Sequence, residues 1–193
     1  MSDSWDDHAD GWDGDERVVF YSEMAYKSLL QVIKPEGLKV LDFGCGTGLL
    51  SQKIANHAKE VVALDSSPKM VQVLKKKNLA NVATVVGELS QELIDGNGLF
   101  HDKFDLIVAS SVCGFLDDYG ATAKLLKQLL VSGGMFVQWD WLSGEDDDSG
   151  LNQKRVQATL TKAGFNSISF SQPFSIPSAN GDMAVFMALG TNS

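Results

Sequence analysis

The chain has 193 residues, 44% of them hydrophobic, with 25 acidic residues against 16 Lys and Arg and a formal net charge of −9. That length suits a single enclosed core, and that charge opposes sequence-independent nucleic-acid binding, which relies on Lys and Arg neutralising phosphates. Two cysteines are too few for a disulfide framework, the acidic N-terminus lacks the marks of a signal peptide, and no apolar run approaches membrane-spanning length. The expectation is a soluble, cytoplasmic protein without a membrane role.

Residues 1–16 carry seven acids together with Trp5, His8 and Trp12, and they read as an acidic N-terminal arm before one domain over 17–193. Two tryptophans are unusual in a solvated tail, which makes the arm a possible lid. Over 18–33 apolar residues recur at helical spacing, until Pro35 and Gly37 stop the helix. Strand-like runs follow at 38–43, 60–65, 82–86, 104–109 and 133–139, each nearly continuous in apolar residues. Helical stretches separate them at about 48–58, 68–78 and 120–131, while 88–99 has room for one short helix. Buried strands alternating with helices describe a parallel sheet covered on both faces. Ser67 before Pro68 signals a helix start, and Gly133-Gly134 reads as the end of the helix before the fifth strand. An acid run at 145–148 precedes a helix near 151–163, closed by Gly164. Two β-like runs, 167–171 and 183–189, flank a loop at 172–182 that holds Pro173, Pro177 and Gly181. With no helix between them, those last strands can pair antiparallel.

The chemistry concentrates at 40–50, which reads V-L-D-F-G-C-G-T-G-L-L. A strand ends in an acid, Asp42; glycines follow at 44, 46 and 48; a helix begins. Such a loop lets a ligand lie against main chain, and the helix start offers N–H groups to a carboxylate. A dinucleotide fingerprint would put its third glycine at position 49, where Leu stands, and Asp42 would repel a pyrophosphate. A P-loop would need Gly-Lys-Ser/Thr, which is absent. An acid at 42 suits a ligand with a cationic amino end. Asp65 closes the second strand, placed to accept hydrogen bonds from ribose hydroxyls. A glycine-rich turn can also serve strand–helix packing alone, and Asp65 can equally cap the next helix.

With D-F-G-C-G-T-G (42–48), A-L-D-S-S-P-K-M (63–70), V-G-E-L (86–89), F-D-L-I-V-A-S-S-V (104–112) and L-V-S-G-G-M-F-V (130–137) in this order, the chain resembles a class I S-adenosylmethionine-dependent methyltransferase from about residue 21 to 189. The resemblance implies an α/β fold: a three-layer, doubly wound sandwich on a seven-stranded sheet of order 3-2-1-4-5-7-6, strand 7 antiparallel. It implies S-adenosylmethionine as cofactor. Asp42 with Gly44, Cys45, Gly46, Thr47 and Gly48 would meet the methionine portion, and Asp65 the ribose. Ser66 and Met70 would lie by the adenine, with Glu88 and Leu89 at its edge, where the family more often has Asp-Ala. Ala109 and Ser110 would floor the sulfonium, and Trp12 or Tyr21 would stack on or hydrogen-bond the cofactor from the segment before the first strand.

Ligands of open parallel sheets bind beyond the carboxyl ends of the strands. Ser111, Cys113 and Phe115 after strand four and Trp141 after strand five are therefore the expected acceptor contacts. His8 and Asp140 are the candidate bases, should one be used; Cys113 and Asp140 also have ordinary structural readings. His57 and His101 belong away from this edge. The family motif for methylating base amino groups, Asn/Asp-Pro-Pro-Tyr, is replaced here by Ala-Ser-Ser-Val at 109–112. No metal-ligand spacing occurs. The expected activity is methyl transfer to a small-molecule or protein acceptor, with no nucleic-acid partner. A nicotinamide-dependent oxidoreductase and a non-catalytic cofactor-binding or interaction module are the alternatives. Acceptor and oligomeric state are not legible.

Overall fold

Seven strands form one sheet in the computed structural model, which describes residues 5–142, 151–178 and 181–193. They are β1 (Lys39–Phe43), β2 (Glu60–Asp65), β3 (Val82–Val86), β4 (Phe104–Ser110), β5 (Leu130–Trp141), β6 (Asn166–Ile176) and β7 (Met183–Thr191). The order is β3-β2-β1-β4-β5-β7-β6. The first five pair in parallel, and β7 lies antiparallel between β5 and β6, as the resemblance implied.

Helices cover both faces because the central strands are apolar on both. Alternate residues Leu41, Ile107 and Phe136 pack under α4 (Gln91–Gly96), α5 (Tyr119–Leu129) and α6 (Gln153–Ala163), through Ile94, Leu126 and Leu160. Their neighbours Val40, Val61, Leu106 and Trp139 face α1 (Glu16–Val32) and α2 (Leu49–Ala55), meeting Leu29 and Ile54. The remaining helix, α3 (Pro68–Lys76), seats Leu74 on Ala63. Ser67 caps it by accepting the Met70 N–H, with proline in the first turn. The buried Trp139 indole donates to Ser28 Oγ at 2.8 Å, tying β5 to α1. No described helix is long and apolar enough to cross a membrane.

Two expectations need correcting. Gly133-Gly134 does not end a helix: α5 stops at Leu129, and the pair lies inside β5, with Gly133 at φ 79°. The pairing with β4 shifts register between Phe104 and Leu106 at this point, so the glycines build a bulge. The stretch 172–176, read as loop, is strand. β6 is an edge strand with a register shift between Ser171 and Phe174, and there Pro173 can lack an N–H without breaking a ladder. The acid run 145–148 and the first four residues of the arm lie outside the described residues.

Candidate functional site

The parallel strands deliver the turns after β1, β2, β4 and β5 to one edge, where a cleft of about 780 Å³ opens. The loop after β1 forms one wall. Gly44, at φ 72°, comes so close to Val112 that a Cβ would sit 2.3 Å from its Cγ2. Gly48, at φ 79°, meets Leu74 in the same way. Gly44 and Gly46 both border the cleft, but only at Gly46 is the site of the missing Cβ uncrowded, with Trp12 Nε1 the nearest atom at 3.9 Å. The loop's amides are largely engaged. Gly44 and Cys45 donate to Leu64 O at 2.8 and 3.0 Å, Gly46 donates to Asp65 Oδ2 at 2.7 Å, and Gly48 donates to Cys45 O at 2.9 Å.

Asp42 lies at the base of this wall, 1% exposed. Burial pushes its carboxyl up to about 7; hydrogen bonding from Ser51 (Oγ at 2.5 Å) opposes that rise, and the nearby Asp65 adds to it. Asp65 is also raised by burial, against N–H bonds from Ser67 and Gly46. A carboxylate has about four acceptor positions, so Asp65 can take further donors. Cys45, Thr47, Ser66, Met70, Glu88 and Leu89 complete this lobe.

Across the cleft, Ser110 ends β4, Ser111 follows it, and Trp141 ends β5. Ser111 holds a left-handed φ of 58°, rare for a non-glycine and costing of order 1–3 kcal/mol. Its N–H donates to Trp139 O at 2.7 Å, and its Oγ accepts from Trp141 Nε1 at 3.1 Å. The Tyr21 ring packs 5.2 Å from both Trp141 and Phe174.

The arm crosses the mouth. Trp5, His8 and Trp12 line the cleft, and Trp5 meets Phe115 edge-on at 5.3 Å. Asp6 accepts from Ser67 Oγ and from Lys69 N at 3.1 Å, and the Ser67 bond holds its carboxyl below the usual range. Asp13 accepts from Thr47 Oγ1 and pairs with Lys77 at 2.7 Å.

Most expected site residues therefore share one cleft; four do not. Gly48 is packed on Leu74. Ala109 is fully buried in the sheet, because alternation turns it toward the core. Cys113, 1% exposed, belongs to the same core, which pushes its thiol up. Asp140 is 2% exposed beneath the floor. Its oxygens accept from Gly114 N at 3.2 Å and Gln138 Nε2 at 3.0 Å, while Gln138 accepts from Tyr119. Its carboxyl is pushed up to about 7 by burial, but it does not border the cleft. His57, near Glu36, and His101, near Asp95 O, lie outside the cleft. The sequence reading missed Ser22, Ile176, Pro177 and Met183, which line it. Ser22 could have been found as a polar residue beside Tyr21 on an otherwise apolar helix face; the others lay in or next to a stretch read as loop.

Residues 41–136 match the model of a methyltransferase domain. The chain is 30% identical over 141 residues to an uncharacterized methyltransferase of Schizosaccharomyces pombe, covering 70% of this chain and 50% of that one. It is 30% identical over 103 residues to a ubiquinone biosynthesis O-methyltransferase of Cereibacter sphaeroides, covering 53% of this chain and 40% of that protein. The chain thus spans half or less of the length of these curated relatives. Among solved structures, the methyltransferase partner of the Haloferax volcanii Trm112 activator superposes with TM-score 0.76 at 16% identity, over 97% of both chains. DhpI in complex with SAH gives 0.74 at 20% identity, over 99% of this chain and 94% of that one. At such identities the structures speak for the fold alone. With the sheet order, the loop after β1 and the domain match in agreement, the chain belongs to the class I S-adenosylmethionine-dependent methyltransferase family.

Proposed function

We propose that this protein binds S-adenosylmethionine and transfers its methyl group to a small molecule or a protein side chain. One observation carries the reading: two carboxylates, buried Asp42 and half-buried Asp65, end adjacent strands on either side of a glycine loop, in a cleft of nucleoside size. The donor set fits the cofactor. Asp42 would hold the cationic amino end, and the main chain of 44–47 would border the methionine portion. Asp65, with acceptor capacity to spare, would take the ribose hydroxyls. Ser66 and Met70 would meet the adenine, Glu88 and Leu89 its edge, and Ser110 the floor. When bound, the cofactor supplies a methyl group already activated as a sulfonium.

What remains for the chain is orientation and exclusion of water, and positioning of this kind can contribute roughly 7–11 kcal/mol. The arm over the mouth, with Trp12 above Gly46, suits a lid for that purpose, while 17–193 acts as one domain. No dedicated base is assigned: Asp140 is sealed below the floor, and His8 sits on the arm among tryptophans. The relatives named as O-methyltransferases and the SAH complex of DhpI support the reading. The two free, buried cysteines suit a reducing cytoplasm.

Calorimetry with S-adenosylmethionine and with NAD tests the cofactor, and isotope-labelled methyl donor in a metabolite and protein extract tests the transfer. S-adenosylmethionine should bind, lose most of its affinity in Asp65→Ala, and label a product. Binding of NAD instead, or full affinity in that variant, overturns the cofactor assignment. Binding without any labelled product points to a non-catalytic module.

A further inference from the structure

We propose that the methyl acceptor is a flat, uncharged or cationic small molecule bearing a hydroxyl or amino group, held by the hydroxyls of Tyr21 and Ser22, and that acceptors carrying a carboxylate are excluded. The inference rests on the reading above for which lobe belongs to the cofactor. Opposite that lobe, Tyr21, Ser22, Ser111, Trp141, Ile176 and Met183 bound a second one. Its walls are mainly aromatic and aliphatic, which suits a flat ring.

Two polar atoms in this lobe lack partners. Tyr21 and Ser22 are 7% and 6% exposed, and neither the phenolic oxygen nor Ser22 Oγ makes a hydrogen bond. Buried hydroxyls are rarely left so, because the lost hydration is not replaced. Ser28, on the same helix, shows the usual solution, donating to Ala25 O and accepting from Trp139. The groups nearest Tyr21 leave it without a bond of ordinary geometry: Ser111 Oγ takes the Trp141 indole and is close enough to the phenol to oppose the rise of its pKa, and Asp140 takes Gly114 and Gln138. Burial and the Asp140 charge keep the phenol protonated, hence a donor. A ligand hydroxyl or amine would supply what the fold does not.

The charges decide the rest. Among the described residues lining the cleft, Arg17 is the one fixed cation, and its guanidinium is already paired with Asp15 at 3.1 Å. Asp42, Asp65, Glu88 and Asp117 line the same cleft. A carboxylate on the acceptor would be desolvated without a counter-ion, whereas an ammonium would enter a field that favours it.

Three probes with one ring and three charges test this: 4-methylphenol, tyramine and 4-hydroxyphenylacetate, titrated calorimetrically into the protein saturated with S-adenosylhomocysteine. The first two should bind, and the acid should bind at least about tenfold more weakly. Tyr21→Phe keeps the ring against Trp141 and Phe174, so its melting temperature should not fall. It should weaken both bound probes by about tenfold, the loss of roughly one hydrogen bond, and Ser22→Ala should weaken them less. Equal or tighter binding of the acid overturns the charge selection. Unchanged probe affinity in Tyr21→Phe overturns the hydroxyl assignment, and no binding of any probe at millimolar concentration overturns the acceptor class. Failure of S-adenosylhomocysteine itself to bind would instead count against the cofactor reading.

Discussion

If Asp42 holds the amino group of the cofactor, binding must become pH-dependent in a defined way. In the ligand-free protein burial pushes its carboxyl up to about 7, so near neutrality about half the molecules carry the charge a cationic ligand needs. The ionised fraction is about one-half at pH 7 and about one-hundredth at pH 5. Affinity should therefore rise about 50-fold between those values, roughly 2.3 kcal/mol, and flatten above pH 7, before the ligand's own amine titrates near 8. Calorimetry with S-adenosylhomocysteine at half-unit steps measures the limb. Repeating it at pH 6 in two buffers of different ionisation enthalpy counts the proton released on binding, expected to approach one. Asp42→Asn should bind more weakly and lose the limb; Asp65→Asn, whose carboxyl is raised in the same direction, serves as the control. A flat profile, no released proton, or a limb that survives in Asp42→Asn would refute the reasoning. Stability follows the same linkage. The folded carboxyl keeps a proton that the unfolded chain loses from about pH 4 upward, so folding is favoured below that window and the advantage is lost as pH rises through 7. The ligand-free protein should be harder to unfold with urea at pH 5.5 than at pH 7.5, and Asp140, also raised to about 7 by burial, acts in the same sense.

Other consequences can be measured directly. Gly44→Ala places a Cβ 2.3 Å from Val112 Cγ2 at a left-handed φ, and should cost about 2–4 kcal/mol from strain and crowding together. Adding Val112→Ala should relieve crowding but not strain, and urea unfolding resolves the two. Ser28→Ala leaves the Trp139 indole N–H buried without an acceptor, a loss of about 1–3 kcal/mol in the same assay; no measurable loss would mean the indole finds another partner. Asp13→Ala removes the arm's bonds to Thr47 and Lys77. Stopped-flow release of S-adenosylhomocysteine should quicken several-fold with little change in the urea midpoint, and an unchanged rate would remove the lid.

The sheet's centre was legible because β1, β2 and β4 are buried on both faces, and buried strands must be continuously apolar. The order of the strands came from the resemblance, not from periodicity. Glycine identity was readable but glycine purpose was not. A missing side chain at 48 makes room for Leu74, whereas at 46 it leaves the wall open, and the two look alike in a sequence. Asp140 misled for a related reason. A strand-end acid suggests exposure, yet β5 runs one residue further, and alternation turns Asp140 beneath the floor. Pro173 suggested a loop because a proline cannot serve an interior strand, and nothing local reveals that β6 is an edge. The partnerless hydroxyls of Tyr21 and Ser22 were invisible for the opposite reason, since burial comes from tertiary packing, such as Trp141 and Phe174 against Tyr21.

The arm shows why composition alone misreads a short segment. Seven acids in sixteen residues suggest a solvated tail, and solvation would indeed win if the acids had no donors to meet. Two of them meet donors that the domain offers at the edge of the cleft. Asp6 lies at the start of α3, where free N–H groups and the helix dipole favour a carboxylate, and Asp13 bridges Thr47 and Lys77. Between these pins, Trp5 and Trp12 put apolar surface over the mouth, and Ala9 is 2% exposed. The pins are few, two carboxylates on partly buried donors, while the sheet beneath is held by pairing along seven strands. Opening of the arm should therefore cost far less than opening of the domain, so a ligand can enter and leave without the sheet being disturbed. A lid over a cofactor would need that combination: rings to exclude water, and polar contacts few enough to be undone.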